Sequence, residues 1–322
     1  MEGVTLAANA GSRASYTRGG WAGGRYVAMG RTGEVMADDV YSIYWNPAGL
    51  ASLKDRNRVS SEDIMEKARK GKSDQISEKD LLDFSESGSG RTVVDIGLSA
   101  AMLDVERNAA FTGAAFSLFS GVAGIGLYSI MSTGIDAYDD SGAAQGSTSY
   151  SGSVAYLSYG WDMGVASLGF SLKALYEKID DYRYMGLGSD AGVQVFVLPF
   201  LKVGFLFQDM GTGMTPAGSQ KDVENRYDLA MPSLRLGAAL ISDTGLTFAV
   251  SVVRKIEQDV YTLSGGVQYE VSRQMSLQMG ASDSCFSAGI SLRVWNVSMS
   301  YAFSFDNVDN GADNVISLSV LF

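Results

Sequence analysis

The chain of 322 residues contains no histidine. That absence removes the Ser-His-Asp relay, imidazole-ligated metals and the commonest general base, so hydrolytic or acyl-transfer chemistry of the usual kind is excluded and no enzyme is expected. A single cysteine, Cys285, allows no internal disulfide and offers no thiolate metal spacing. No cofactor or metal is implied. Proline occurs only 4 times against 38 glycines, and no run approaches the roughly 18 apolar residues of a spanning helix. Basic residues are also scarce, 25 against 36 acidic ones. The net charge of −11 argues against a nucleic-acid partner, whose phosphates call for a basic surface. The acidic stretch Asp306 to Asp313 lacks the alternating spacing of a calcium loop, and the glycines around Trp21 lack the lysine of a phosphate-binding loop.

What the chain does have is alternation. In its last eight residues Ile316, Leu318, Val320 and Phe322 share one face of a strand, with Ser317 and Ser319 on the other. Upstream, Trp295, Val297, Met299, Tyr301, Phe303 and Phe305 oppose small polar residues, and Met275, Leu277, Met279 and Ala281 oppose Ser276, Gln278 and Gly280. One such segment fits a buried strand of a soluble protein. Repeated, it describes a wall with lipid on one side and a lumen on the other. Only helices and closed sheets satisfy backbone polar groups inside lipid. The expected fold is therefore all-β, a transmembrane antiparallel β-barrel of about 14 strands over residues 91–322, ending at Phe322 as a membrane-assembly signal read by barrel-assembly machinery.

Among the expected strands are 122–132, 149–161, 188–198 and 201–208. Tight connections alternate with longer, more polar ones at 133–148, 179–187, 209–230 and 305–314, which places every short turn on one side, the periplasmic side of an outer-membrane barrel. Trp161 and Trp295 suit an aromatic girdle at the short turns, and Tyr138, Tyr150, Tyr182, Tyr184 and Tyr227 suit one at the long loops. Between residues 109 and 160 both faces carry apolar groups. Phe116, Leu118 and Tyr128 are candidates for an apolar lumen lining, although a plug packed on this wall or a slipped register fits the pattern too. The inward charges Asp95, Lys173, Glu177, Lys202, Arg235, Glu270 and Arg293 read either as a selectivity lining or as struts that hold a plug.

Residues 1–53 form an N-terminal segment. There Asp38 or Asp39 can cap a short helix carrying Val40, Ile43 and Tyr44, and Pro47 should end it by disfavouring helical geometry at Asn46. Inside a barrel this unit is a plausible plug. Residues 54–90 follow as an insertion, expected on the periplasmic side, whose segment 59–86 reads as two polar helices that a periplasmic protein partner could use. The chain starts without the basic region and apolar core of a secretory signal. An exported barrel is then expected to be a mature form.

The combination of Met29-Gly30, Ala37-Asp38-Asp39 and Trp45-Asn46-Pro47-Ala48-Gly49 resembles the hatch motif of the long-chain fatty-acid transporter (FadL-type) family, and is especially similar to its PorV-like and spirochaetal-type homologues. The resemblance implies a fourteen-stranded barrel of the bacterial outer membrane with a hatch or gate at Asp38, Asp39, Trp45, Asn46, Pro47 and Ala48. It implies passive uptake of hydrophobic or amphipathic small molecules, leaving through a lateral opening in the wall. In PorV-like members it implies service to a protein-secretion machine instead. The insertion and the short loops depart from the transporter pattern, which has large ligand-gathering loops.

Overall fold

The computed structural model describes residues 19–56, 93–104, 106–138, 142–217, 228–256, 260–282, 285–306 and 311–322. The two helices read at 59–86 lie outside the described residues. Five short helical pieces come first: α1 (Gly24–Ala28), α2 (Gly33–Met36), α3 (Ser42–Trp45), a 3₁₀ turn (Pro47–Ser52) and α4 (Leu53–Arg56). The strands follow as β1 (Val94–Leu103), β2 (Arg107–Leu118), β3 (Gly121–Tyr138), β4 (Ala144–Asp162), β5 (Ala166–Ile179), β6 (Tyr182–Leu198), β7 (Leu201–Pro216), β8 (Asp228–Leu229), β9 (Ser233–Ile241), β10 (Leu246–Lys255), β11 (Val260–Ser272), β12 (Met275–Ser282), β13 (Cys285–Val294), β14 (Val297–Asp306) and β15 (Ala312–Leu321).

Every strand pairs antiparallel with its chain neighbour, except that β8 is a two-residue addition at the tip of β7 and β7 passes directly to β9. The sheet closes where β15 meets β1: the Phe322 N–H donates to the Val94 carbonyl at 2.7 Å and Val94 N–H to the Phe322 carbonyl at 3.2 Å. This is a closed barrel of 14 staves, and closure leaves no long unpaired edge. Alternation sets its two surfaces. On β1, Ile96, Leu98 and Met102 point out and are exposed, while Asp95, Ser99 and Ala101 point in and are buried. The same division holds for Met299, Tyr301 and Phe303 on β14, and for Ile316 on β15.

Four staves outrun the expected length. β3, β4, β6 and β7 hold 18, 19, 17 and 16 residues. Much of the expected loops at 133–148, 179–187 and 209–230 is therefore strand, and β5 turns into β6 through Asp180-Asp181 alone. Their Gly, Ser, Asp and Tyr content suits turns, but it suits equally a strand that has risen past an apolar belt into water. Trp161 and Trp295 stand exposed at the short turns. Tyr182 is exposed at the opposite end, whereas Tyr184 and Tyr150 turn toward the lumen, Tyr184 buried and Tyr150 packed against the core, because they share parity with inward Tyr128 rather than with the outer face.

Candidate functional site

Residues 19–56 fold inside the barrel. A reversal at Gly30 and Arg31, with φ of 68° and 64°, turns the chain from α1 into α2. The Asp39 side chain accepts a hydrogen bond from Tyr41 N–H at 2.9 Å, opening the turn into α3. Asn46 is extended (φ −163°, ψ 109°), as the following proline requires, and α3 stops there. Its Oδ1 accepts from Ala48 N–H at 3.1 Å, capping the 3₁₀ turn whose first position is Pro47. Its Nδ2 donates to the Glu34 carbonyl at 2.7 Å and lies 3.3 Å from the Phe205 carbonyl and 3.4 Å from that of Val193. One buried side chain thus fastens α2, the 3₁₀ turn and strands β6 and β7 together. Trp45, also buried, donates its indole N–H to the Ala22 carbonyl at 2.6 Å and meets Tyr44 edge-on.

At a ring of glycines the plug touches the wall with no wall side chain between them. Around the lumen, Gly97, Gly124, Gly160, Gly169, Gly192, Gly204, Gly237, Gly266 and Gly280 each face it, and a Cβ on any of them would collide with hatch atoms. Gly160 and Gly169 receive the backbone of Pro47 and Ala48, Gly204 that of Glu34, and Gly266 and Gly280 that of Met29 and Gly30. Polar struts complete the seal. Asp95 accepts from Val40 N–H at 2.9 Å, and the Gln194 amide donates to the carbonyls of Ala37 (3.0 Å) and Glu34 (3.1 Å). Elsewhere Ile43 and Tyr44 pack on the inward apolar side chains of β2, β3 and β4, with Tyr44 and Tyr128 ring centres 4.9 Å apart.

Two charged features stand out. Arg25 pairs with Asp38 at 2.8 Å while its Nε donates to Gln268 at 3.0 Å, tying α1 both to the hatch and to β11. Glu34, fully buried, faces Arg235 and Ser251, and neither carboxylate oxygen lies within close hydrogen-bond distance of a donor among the described residues. Burial pushes its carboxyl above the ordinary carboxylate range against the pull of Arg235.

A third feature lies in the wall. Lys173 on β5 bonds Asp190 on β6 at 2.6 Å and also Asp209 on β7, and Asp209 N–H donates to Asp190 at 2.7 Å. Asp209 adopts φ 63°, left-handed backbone that an aspartate tolerates but rarely chooses. Here the ladder slips twice: Leu187 pairs Gly213, Ser189 pairs Met210 and Ala191 pairs Phe207, so β7 carries two extra residues. Outside the slip runs a groove of about 670 Å³, lined by Ala155, Ala174, Tyr176, Leu187 and Gly213.

Asp38, Asp39, Trp45, Asn46, Pro47 and Ala48 lie together in one unit, and Tyr128 faces inward, buried against Tyr44 of that unit. Phe116 and Leu118 do not. Phe116 pairs with Val94 and Ala123 on the outward face, and Leu118 is exposed there, because the buried register of β2 runs through Phe111 and Ala115. Of the inward charges, Asp95 is a strut, Lys173 bonds two aspartates and Glu270 and Arg293 line a vestibule. The glycine ring, Gln194, Glu34 and the aspartates of the β7 slip escaped the sequence reading. The inward parity of the glycines was the available signal.

No family model matches the chain, and no curated protein sequence matches it. Solved structures do. The toluene transporter TodX of Pseudomonas putida superposes with a TM-score of 0.60 at 11% identity, over 93% of this chain and 96% of that one. A FadL homologue of Pseudomonas aeruginosa superposes at 0.53 and 10% identity, over 94% and 97%. At such identities the likeness concerns the fold: a plugged, closed barrel with short helices before its first strand.

Proposed function

We propose that the protein is a bacterial outer-membrane channel for passive uptake of hydrophobic or amphipathic small molecules, gated by residues 19–56. The belt of exposed Leu, Ile, Phe and Met side chains supports the membrane location, since each side chain of this size gains about 1.5–3 kcal/mol on leaving water. Phe322, exposed at the seam that closes the barrel, fits a mark read by the assembly machinery. The single observation that carries the transport reading is the pairing of an apolar, tyrosine-rich inner wall on β2–β5 with a broken β6–β7 ladder beside it. In this reading an apolar solute halted above the plug leaves sideways, from the lumen through the slip to the groove outside. TodX is named a toluene transporter, which agrees with this reading.

The test is uptake by proteoliposomes of an apolar fluorescent probe against arabinose. The probe should enter several-fold faster than the sugar; equal rates, or no uptake of either, would overturn the proposal.

A second reading, a PorV-like barrel that serves a protein partner, draws on the outward furrow of small residues, Ala100, Ala110, Thr112 and Ser129, beside the groove described above. A stoichiometric partner retained on purification would favour it.

A further inference from the structure

The hatch meets two chemically different walls. Against β4, β5 and β6 the 3₁₀ turn is wedged by backbone on glycine and by Leu50, which has no polar group to offer water. Across the lumen, one register row runs Ser276 (β12), Ser291 (β13), Ser300 (β14), Ser317 (β15) and Ser99 (β1), each the direct cross-strand neighbour of the next. α1 rests on this side through bonds that water can replace. Gly23 N–H donates to Ser99 at 3.1 Å, Gly24 N–H to Ser317 at 2.9 Å, and the Ser287 hydroxyl donates to the Ala28 carbonyl at 3.2 Å. Exchanging such a bond for one to water changes little, whereas parting the seam at Gly160 uncovers Leu50, which gains nothing from water.

Two further observations mark this side as a place for polar occupants. Toward the short turns the row borders a cavity of about 240 Å³ whose walls include Arg25, Asp38, Gln268, Ser298 and Ser319. Next to the row Gln278, 1% exposed, donates to Ser276 at 2.7 Å, while its own Oε1 accepts no protein hydrogen bond.

We propose that the seam between α1 and strands β12–β15 is a hydrophilic conduit, by which water, small ions and small polar solutes pass the hatch along the serine row, separately from the apolar route. The Arg25 strut to Asp38 and Gln268 holds the conduit narrow. The proposal rests on the reading of the barrel as membrane-spanning, and its test reads the two routes independently.

In the full chain carrying Cys285→Ser, Gly24→Cys and Ser300→Cys form one staple, for a Cβ on Gly24 lies 3.3 Å from that of Ser300; Ser300→Cys alone, which cannot close the bond, is the control. Potassium current in planar bilayers and apolar-probe uptake in vesicles are measured before and after oxidation. The 24–300 staple should cut the current at least tenfold, with recovery in dithiothreitol and probe uptake within twofold of its starting rate, while oxidation of the single-cysteine variant leaves its current within twofold. No current above protein-free bilayers before stapling, a current indifferent to the 24–300 staple, or equal loss on oxidising the single-cysteine variant overturns the conduit. Absence of probe uptake before stapling, with the current present, would instead count against the transport reading.

Discussion

The side-chain oxygen of Asn46 occupies the space that a Cβ on Gly192 would need, so a glycine in the wall and an amide in the plug define one another. Asn46→Ala removes the cap on the 3₁₀ turn and the donor to the Glu34 carbonyl, in a site with no access to solvent. The cost is about 1–3 kcal/mol, confined to the hatch. Hydrogen exchange in residues 42–52 should accelerate by about 10- to 100-fold while the barrel strands keep their protection. Unchanged exchange would mean that the wall glycines alone position the plug.

Lys173 sits between two buried aspartates with its ammonium fully covered. Lys173→Met leaves two carboxylates together without a cation, which in comparable buried pairs costs about 3–5 kcal/mol. Heat-modifiability on gels should fall by many degrees. Replacing all three charges, as Lys173→Met with Asp190→Asn and Asp209→Asn, should recover much of the loss, because nothing uncompensated then remains buried. A triple variant as unstable as the single one would assign the effect to lost packing of the lysine stem.

The barrel was readable from the sequence because every second residue answers to one of two solvents, and fourteen such segments leave little choice of closure. The plug was readable only as a motif. Why Asn46 matters depends on Glu34 in α2 and on Val193 and Phe205, which staves β6 and β7 bring to it from 147 and 159 residues along the chain. The β2 wall shows the limit most clearly: Phe111 and Phe116 are equally apolar, and only the register with Asp95 decides that Phe111 faces the hatch and Phe116 the outside. Slips in register, as between Ser189 and Met210, leave no periodic signature at all.

Glu34 gives the hatch a pH dependence whose direction follows from its burial. Its carboxyl keeps its proton to higher pH in the folded hatch than in the unfolded chain, so its favourable contribution is complete below the ordinary carboxylate range and is lost as pH rises through the folded value. Arg235 opposes the shift without cancelling it. Glu34→Gln should therefore stabilise the hatch at pH 8 relative to wild type and converge with it near pH 4. Hydrogen exchange of α2 at the two pH values measures this. A variant that is less stable at pH 8 would mean that the carboxylate and Arg235 act as a productive ion pair.

Gly188 lies within the first slip of the β6–β7 ladder, facing inward, and a Cβ there would run into Thr212. If apolar solutes leave the lumen sideways at this point, Gly188→Phe fills the passage without touching the plug. Probe uptake should drop at least fivefold, while the current carried past α1 stays within twofold of wild type. A smaller residue at Leu187, as in Leu187→Ala, should leave uptake equal or faster, since that side chain borders the groove from outside. Should Gly188→Phe transport the probe at the wild-type rate in a correctly closed barrel, the broken ladder is a structural irregularity and the exit lies elsewhere in the wall.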